Sequence, residues 1–244
     1  MKIIEKLNAR DKAQFQNPIP TIVFLGDSIT HGCFETHNIG DNKTQSVCDD
    51  VAVYHNVVKE TLCELWPRCG VNIVNAGIGG DSTVGALKRL ESDVLSKNPD
   101  LVVVSFGVND SFNCFSKGAP TADDYKANLK TIFEKIKATG SEVIFMTPPM
   151  TATRVTHTVT DPMLRAIAEE SARAQNSGIL TTFVEKAREA ASECGVTVAE
   201  AYARWMKLYE AGVDISAHIS NGINHPSRNM HKLFAIAILE AMFS

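Results

Sequence analysis

The sequence Thr21-Ile22-Val23-Phe24-Leu25-Gly26-Asp27-Ser28 begins with a run of apolar residues and then changes abruptly to small and polar ones. A nearly continuous run rich in Val, Ile and Phe is typical of a strand that is covered on both faces of a parallel sheet. We predict this strand at 21–25 and four more of the same kind at 71–75, 101–106, 143–147 and 196–199. The polar residues after the first run therefore lie at the end of a buried strand.

Helical patterns alternate with these strands. Apolar residues recur at helical spacing over 50–66, 81–96, 121–138, 161–194 (interrupted near 176–178), 200–210 and 226–242. Thr121 and Asp124 have the spacing of a capping box, and Pro226 favours a helix that begins there. This alternation predicts an α/β fold, a doubly wound parallel sheet in a single domain over 1–244, with 1–20 as an N-terminal extension.

The composition is that of an ordinary globular protein, with 44% hydrophobic and 21% charged residues among 244. A net charge of −4 argues against an extended basic face, so we expect no nucleic-acid partner. The N-terminal residues are charged throughout, unlike a secretory signal. No apolar run approaches the length of about eighteen residues that predicts a membrane span.

Six cysteines, Cys33, Cys48, Cys63, Cys69, Cys114 and Cys194, form no Cys-x-x-Cys pair and no compact disulfide framework. We therefore expect reduced and mostly buried thiols in a cytoplasmic protein, although a longer precursor with a removed leader would leave the same pattern. Cys33 and Cys114 lie near strand ends as alternative nucleophiles, but packing is the favoured role for both. No cluster of His, Asp and Glu has the spacing of metal ligands, so we expect no metal and no cofactor.

Polar residues follow three of the predicted strands, and a histidine comes from the far end of the chain. Ser28 follows the first strand, Gly79-Gly80-Asp81 the second and Gly107-Val108-Asn109-Asp110 the third, while His225 lies in Asn224-His225-Pro226. Open parallel sheets bind their ligands beyond the carboxyl ends of the strands. We therefore expect a hydroxyl, a backbone N–H, an amide and an imidazole at one edge of the sheet.

Ser28 and His225 are the candidate nucleophile and base. A Gly-Asp-Ser turn by itself more often caps a helix, yet no clear helix begins at Ile29, and 31–49 has the composition of a long polar loop. A serine hydroxyl needs a nearby base before it can act as a nucleophile. We expect a neutral His225 because a helix that opens at Pro226 disfavours a positive charge at its N-terminus.

Gly80 and Asn109 are the candidate oxyanion donors. The glycines at 77, 79 and 80 lack the spacing of a dinucleotide fingerprint and the Lys-Ser/Thr ending of a P-loop, which favours a tight turn with an accessible N–H. An amide donor at Asn109 would lower the reaction barrier by about 2.7–4 kcal/mol. Asp110 is interpreted as a turn residue or helix cap. The lesser candidates for the substrate rim are Asp27, His31, His37 and His157, and His55 is interpreted as structural.

Gly26-Asp27-Ser28-Ile29-Thr30, the Gly80 turn, Gly107-Val108-Asn109-Asp110 and Asn224-His225-Pro226 resemble the four signature blocks of the SGNH (GDSL-like) hydrolases, a lipase-acylhydrolase family. The resemblance covers 21–243 in the family's order. It implies a flavodoxin-like three-layer α/β/α sandwich with a five-stranded sheet, and an esterase or acylhydrolase for small-molecule esters. It also implies that Ser28 is nucleophile and backbone oxyanion donor, that Gly80 and Asn109 complete the oxyanion hole, and that His225 is the general base.

One position departs from the family pattern. Members usually carry an aspartate three or four residues before the histidine, where this chain has Gly222 and Asn221. In serine proteases, asparagine in place of the corresponding aspartate lowers turnover by about 10⁴-fold. We favour Asn221 as the acceptor of the imidazole Nδ1–H, or a dyad of Ser28 and His225 alone. A backbone carbonyl and Asp214 are the other candidates.

Three functions are compatible with these residues. The first is a serine carboxylester hydrolase for short acyl groups, such as acetyl groups on carbohydrates, because only 7% of residues are aromatic and 31–49 and 151–161 are polar. The second is a lysophospholipase or thioesterase for longer acyl chains, with Phe112-Asn113-Cys114-Phe115 and the helix after Met163 lining an apolar channel. The third is a non-catalytic ligand-binding protein, suggested by the missing aspartate.

Overall fold

A parallel sheet of five strands lies at the centre of the computed structural model, which describes residues 1–113 and 120–244. The strands in this part of the chain are β1 (Thr21–Gly26), β2 (Cys33–Gly40), β3 (Lys43–Cys48), β4 (Asn72–Gly77), β5 (Leu101–Ser105), β6 (Glu142–Met146) and β7 (Thr197–Ala199). The sheet has the flavodoxin-like order β4-β1-β5-β6-β7 with all neighbours parallel, while β2 and β3 form a separate antiparallel hairpin. All five predicted strands are confirmed, and their ends shift by no more than two residues.

Helices cover both faces of this sheet. In the described residues they are α1 (Lys2–Lys12), α2 (Ser28–His31), α3 (Tyr54–Leu65), α4 (Thr83–Asp93), α5 (Val108–Asn113), α6 (Ala122–Ala138), α7 (Pro162–Asn176), α8 (Ile179–Cys194), α9 (Ala201–Glu210) and α10 (His231–Phe243). The capping box of Thr121 and Asp124 is present at the start of α6. No helix of the described residues is long and apolar enough to cross a membrane.

The central strand β1 divides the apolar core into two layers. Ile22 and Phe24 pack in one cluster with residues of α3 and α10, and Val23 and Leu25 pack in another with residues of α4, α6 and α8. This alternation along an extended strand is what places helices on both faces. The predicted single-domain, doubly wound α/β fold is confirmed.

The segment before Thr21 is part of the packed structure rather than a bare extension. It carries α1, whose residues Ile3 and Leu7 are fully buried in the same apolar cluster as α3 and α10. Burial of these two side chains fixes α1 against the sheet side that faces α10.

The prediction of a loop from 31 to 49, with no helix at Ile29, is wrong. Asp27 caps the single-turn helix α2 by accepting a hydrogen bond from the Ile29 N–H at 2.9 Å. The strands β2 and β3 follow, joined by Asp41 and Asn42, which both have positive φ as a type I′ turn requires. The polar composition concealed this hairpin because most of its residues are exposed and no alternating apolar face marks the strands.

The last helix begins five residues later than predicted, at His231 instead of Pro226. Pro226 instead pairs with Ile219 in an isolated antiparallel bridge, and a 3₁₀ turn at Arg228–Met230 leads into α10. The argument that a helix N-terminus keeps His225 neutral is therefore wrong. The predicted helix over 161–194 consists of α7 and α8, which are separated at Ser177 and Gly178.

Two glycines allow α2 to begin directly where β1 ends. A Cβ atom on Gly77 would lie 2.2 Å from the backbone nitrogen of His31, and one on Gly26 would lie 2.0 Å from Oγ1 of Thr30. Contacts this short do not occur between real atoms, so α2 fits against β4 only because Gly77 has no side chain. This close approach sets the position of the residues at the start of α2, including Ser28.

We expect Gly77→Ala to lower the free energy of unfolding by about 1–3 kcal/mol, because the backbone of α2 must move to admit one methyl group. Denaturant unfolding monitored by circular dichroism measures this loss. Gly79→Ala is the matched control, since its Cβ would meet nothing nearer than Cys33 Sγ at 3.9 Å. Equal stability of the two variants would contradict the role assigned to the close approach.

Candidate active site

One cleft at the carboxyl edge of the sheet is lined by six of the predicted site residues, which are Ser28, His31, Gly80, Asn109, Asn221 and His225. Ser28 lies at the start of α2, Gly80 in the turn after β4, Asn109 in α5, and His225 in the loop before α10. The cleft has a volume of about 670 Å³. The expectation that strand ends and a distant histidine meet at one edge therefore agrees with the geometry.

The side chains of Ser28 and His225 are joined by a hydrogen bond. Ser28 Oγ lies 2.9 Å from Nε2 of the imidazole, and Nδ1 lies 2.9 Å from the backbone oxygen of Phe34 in β2. A carbonyl oxygen only accepts hydrogen bonds, so Nδ1 carries the proton in the neutral ring and Nε2 presents its lone pair. The Ser28 hydroxyl then donates to Nε2, which is the arrangement that a general base requires.

Burial keeps the imidazole neutral. His225 is buried, and loss of hydration lowers the pKa of its ring to about 4, although the Phe34 carbonyl acts in the opposite direction. The ring is therefore unprotonated, and able to accept a proton, at any pH well above 4. Sequence reasoning reached the neutral form through a helix N-terminus, whereas desolvation is the cause.

The predicted contact between Asn221 and the imidazole is wrong. Asn221 Oδ1 accepts hydrogen bonds from the backbone N–H groups of Ile223, Asn224 and His225, at 2.9 to 3.0 Å. Its Nδ2 donates to Asn224 Oδ1 and to a hydroxyl of β2. The side chain is thus used to shape the loop that carries His225, because three backbone donors take up its oxygen.

Asp214 is also not the orienting group. Its carboxylate forms an exposed ion pair with Arg154, which lowers the pKa of Asp214. Of the open candidates, the backbone carbonyl is the one in hydrogen-bond contact with Nδ1.

The three candidate oxyanion donors belong to residues that line the same cleft, which are Ser28, Gly80 and Asn109. Ser28 is the first residue of α2, where a helix leaves its own N–H groups without intrahelical partners. Gly80 has φ of +77°, a conformation that favours glycine, and it lines the cleft. Asn109 Nδ2 donates one hydrogen to the Asp81 backbone oxygen at 2.8 Å, which orients the amide while its second hydrogen stays available.

Arg89 connects the strand ends that carry these donors. From α4 its guanidinium donates to the backbone oxygens of Gly26 at 3.0 Å and Ala76 at 2.7 Å, and to the Asp81 carboxylate at 2.7 Å. Asp81 in turn holds Asn109 through its backbone oxygen. The side chain of Arg89 is largely buried, so one residue fixes the ends of β1 and β4 and the turn between β4 and α4.

The carboxylates of Asp27 and Asp110 are buried. Neither residue is among the described residues that line the cleft, so Asp27 does not lie at the rim where it was predicted. Burial raises the pKa of Asp27 to about 7, against a hydrogen bond from Ile29, with smaller contributions from Asp110 and Asp81. Burial likewise raises the pKa of Asp110 to about 6, although Asp110 Oδ1 accepts from both the N–H and the hydroxyl of Thr83. Asp110 thus holds the start of α4, which agrees with its interpretation as a cap.

Only one of the three histidines predicted at the substrate rim lines the cleft. His31 lines the cleft, whereas His37 and His157 are exposed and are not among the described residues that line it. His55 is buried against Phe24 and Tyr54 in the core, as a structural residue would be.

The free thiols follow the expectation only in part. Of the five described cysteines Cys33 and Cys69 are buried, and Cys48 is exposed. Burial and the neighbouring Cys48 raise the pKa of Cys33 to about 12, which disfavours a thiolate nucleophile there. Cys114 and Phe115 lie outside the described residues.

His31, Cys33 and Cys48 lie together at the cleft. One ring nitrogen and the two sulfur atoms are all within 4.8 Å of one another, a grouping that could hold a metal ion. The expectation of no metal considered only His, Asp and Glu, and it missed this set because the hairpin that joins Cys33 to Cys48 was not predicted.

The lining of the cleft is polar in one part and apolar in another. The hairpin contributes the side chains of Thr36, Thr44, Gln45 and Ser46. The apolar part consists of Ile78, Phe112, Leu164, Ile167 and Ile223. The polar part of the cleft suits a short polar ester, and the apolar part suits an acyl chain.

The model of the GDSL-like lipase/acylhydrolase family matches residues 24–233. The chain belongs to this family. The resemblance inferred from the sequence blocks is confirmed, and the matched region contains every strand of the sheet except the first residues of β1.

Relatives of this GDSL-like chain include esterases. It is 28% identical to an acetylxylan esterase of Geobacillus stearothermophilus over 132 residues, which cover 52% of the chain and 58% of the relative. An arylesterase of Vibrio mimicus is 33% identical over 76 residues, covering 31% of the chain and 36% of the relative. The chain thus spans about half, or less, of the length of these curated relatives.

Solved structures show the same fold. The crystal structure of the Geobacillus stearothermophilus acetylxylan esterase superimposes with a TM-score of 0.67 at 23% identity, covering 91% of this chain and 94% of that chain. A lipase/acylhydrolase from Enterococcus faecalis gives a TM-score of 0.66 at 24% identity, covering 91% and 95%.

Sequence reasoning did not identify two groups that shape this GDSL-like site, although a backbone carbonyl was among the candidate acceptors for His225. The Phe34 acceptor is a main-chain carbonyl, so no residue type could reveal it. Arg89 lies in an amphipathic helix beside Leu87 and Leu90. Its positive charge next to these apolar residues is the one sequence signal that could have indicated it.

We expect Asp27→Asn to gain stability relative to the parent protein as pH rises from 4 to 8. The pKa of Asp27 is raised to about 7 in the folded state, so the folded protein holds this proton more tightly and loses stability as pH rises toward 7. Asparagine keeps the acceptor for Ile29 but does not titrate. Melting temperatures across this range measure the difference.

Asp161→Asn is the matched control, since Asp161 also caps a helix but is only partly buried and has a lowered pKa. Its folded-state pKa lies below the unfolded value of 3.8, so both states lose this proton below the measured range and this variant should show no gain in relative stability between pH 4 and 8. The same pH trend in both variants would contradict the raised pKa of Asp27.

Proposed function

We propose that this protein is a serine carboxylester hydrolase that acts on short acyl esters, such as acetyl groups on carbohydrates. The observation that carries the proposal is the chain of hydrogen bonds from Ser28 Oγ to His225 Nε2 and from Nδ1 to the Phe34 carbonyl, with both distances at 2.9 Å. Membership of the GDSL-like family supports the same chemistry.

In the proposed reaction His225 Nε2 takes the proton of Ser28 as Oγ forms a bond to the ester carbonyl carbon. The Ser28 and Gly80 N–H groups and the Asn109 amide stabilise the negative charge on the former carbonyl oxygen. The imidazolium gives its proton to the leaving alcohol, which leaves an acyl-serine. Water then repeats these steps with the acyl group and restores Ser28 and His225.

The proposed role of Asn221 is to hold the loop of His225. Its side-chain oxygen accepts hydrogen bonds from three consecutive backbone N–H groups, and this fixes the loop so that the His225 ring lies between Ser28 and Phe34. The pair of Ser28 and His225 therefore works with a main-chain acceptor in the place of a carboxylate. The tautomer is the productive one, because a carbonyl can only accept the Nδ1–H.

The polar hairpin supports a carbohydrate ester as substrate. Hydroxyl and amide side chains from Thr36, Thr44, Gln45 and Ser46 line the cleft beside the candidate nucleophile. Sugar hydroxyls both donate and accept hydrogen bonds, and these side chains can do the same. The relative from Geobacillus stearothermophilus is an acetylxylan esterase, which agrees with this substrate class.

A longer acyl chain is the second candidate substrate. Phe112, Leu164 and Ile167 line the same cleft, and together with Ile78 and Ile223 they offer an apolar surface. Burial of each CH₂ group there would contribute about 0.8 kcal/mol to binding. The proposed lysophospholipase or thioesterase activity differs from the proposed acetyl esterase activity in the length of the acyl group that is cleaved fastest.

A non-catalytic binding protein is the candidate from a different class. The missing aspartate suggested it, but the Phe34 carbonyl supplies the acceptor that orients the ring. Turnover decides between the two classes, because a binder would retain ester without cleaving it.

We expect Ser28→Ala to abolish hydrolysis of p-nitrophenyl acetate and labelling by a fluorophosphonate, with kcat lower by about 10⁴- to 10⁶-fold. The exposed Ser192 on α8 provides the matched control, and Ser192→Ala should keep both activities. Hydrolysis that survives in Ser28→Ala would refute the nucleophile. A parent protein that binds ester without turnover would support the non-catalytic alternative.

We expect the rate on p-nitrophenyl esters to fall at least tenfold from the acetyl to the octanoyl ester, and an acetylated xylo-oligosaccharide to be cleaved. Gln45→Ala should raise KM for the oligosaccharide about 2- to 12-fold by removing one hydrogen bond, but leave p-nitrophenyl acetate unaffected. Lys43→Ala, on the same hairpin but not lining the cleft, is the control. A rate maximum at eight or more carbons would instead establish the long-chain activity.

A further inference from the structure

We propose that His31, Cys33 and Cys48 form a binding site for a divalent metal ion of the zinc class. The three residues come from the end of α2, the start of β2 and the end of β3, so the hairpin and the short helix meet there. The site lines the same cleft as Ser28 and His225 but uses neither of these residues as a ligand, so metal binding can be tested without the proposed hydrolysis.

The distances fit a tetrahedral ion. The sulfur atoms of Cys33 and Cys48 are 3.5 Å apart, and a ring nitrogen of His31 is within 4.8 Å of both. Two thiolates that share a tetrahedral zinc ion at about 2.3 Å lie about 3.8 Å from each other. A shift of a few tenths of an ångström therefore brings the two sulfur atoms to this spacing, and the His31 ring would complete the site by moving toward them.

The backbone brings the two sulfur atoms together without strain. Cys33 and Cys48 are directly opposite each other in the antiparallel pair of β2 and β3. The neighbouring N–H of Asp49 donates to the Gly32 oxygen at 2.9 Å, which closes the open end of the hairpin. The two ligands are thus held by main-chain hydrogen bonds before any metal arrives, which reduces the entropy lost on binding.

In the described part of the chain, His31 has one ring nitrogen without a hydrogen-bond partner. Its Nδ1 atom is buried and has no hydrogen-bond partner among residues 1–113 and 120–244. A buried polar atom without a partner is destabilising, so native structures seldom leave one. An ion bound by the cluster would lie beside this ring.

The donor set selects the kind of ion. Two thiolates and one imidazole match the ligands of zinc, whereas magnesium and calcium require oxygen donors. Three protein ligands leave a fourth position for water, and Cys48 is exposed, which gives the ion an entry from solvent. Binding replaces the two thiol protons by two sulfur–metal bonds, and the protons go to the buffer.

The position of the metal site also affects the proposed hydrolase, and this effect rests on the proposed function. Cys33 directly precedes Phe34, whose carbonyl accepts the Nδ1–H of His225. A metal bond to Cys33 would tie that carbonyl to α2, which carries Ser28. The ion would therefore hold the acceptor of the base and the candidate nucleophile in a fixed relation.

Cobalt(II) titration of the reduced full chain tests the site, because Co²⁺ bound to thiolates gives a sulfur-to-metal absorption band. We expect one equivalent to bind and to be displaced by Zn²⁺. Cys48→Ser and His31→Ala should each weaken Co²⁺ binding at least tenfold. Cys63→Ser and Cys194→Ser remove thiols outside the cluster and should leave the titration unchanged.

Two measurements need no variant of the cluster. At 100-fold excess over its Kd, Zn²⁺ should raise the melting temperature by about 5–10 °C, reversibly with a chelator. Zn²⁺ should also slow the alkylation of Cys48 while Cys194 reacts at its usual rate. A missing thiolate band, an unchanged band in Cys48→Ser, or equal protection of both cysteines overturns the metal site. All of these readouts are independent of ester hydrolysis.

Discussion

The contact between α2 and the end of β4 leaves no room for a side chain at Gly77, and the arrangement at this edge of the sheet depends on it. Because α2 fits there, the chain turns from β1 into a helix at Ser28 without an intervening loop. Gly32, with φ of +97°, then ends that helix and starts the hairpin. The strand, the candidate nucleophile and the segment that holds the candidate base are therefore placed within a short stretch of chain.

In the proposed mechanism the absence of an acid has a specific physical cost. A carboxylate would both fix the ring and stabilise the imidazolium, whereas the Phe34 carbonyl fixes the ring but carries no full charge. Burial of His225 adds to this cost, since desolvation already lowers its pKa to about 4. The loss is thus one of charge stabilisation and not of orientation or tautomer. Asn221 contributes to orientation by holding the loop backbone.

The strands of the sheet could be predicted because unbroken apolar runs report burial on both faces, and β5, which is buried throughout, shows this most clearly. The hairpin could not be predicted because its exposed strands have no apolar face. At the site, Ser28 and Asn109 were predicted because they follow strands, and His225 because it precedes Pro226 and a predicted helix. The Phe34 acceptor is a backbone atom supplied by a hairpin that was itself missed, and the late start of α10 at His231 removed the electrostatic argument for His225.

A main-chain acceptor changes how the site responds to mutation over evolutionary time. Every amino acid carries a carbonyl, so no substitution at position 34 deletes the oxygen that His225 contacts, although a change in the path of β2 would move it. A carboxylate in the same role disappears with a single codon change. Loss of the aspartate therefore leaves the ring oriented once a strand supplies the acceptor, and a search that requires the acid would discard chains in which the histidine is still held in place.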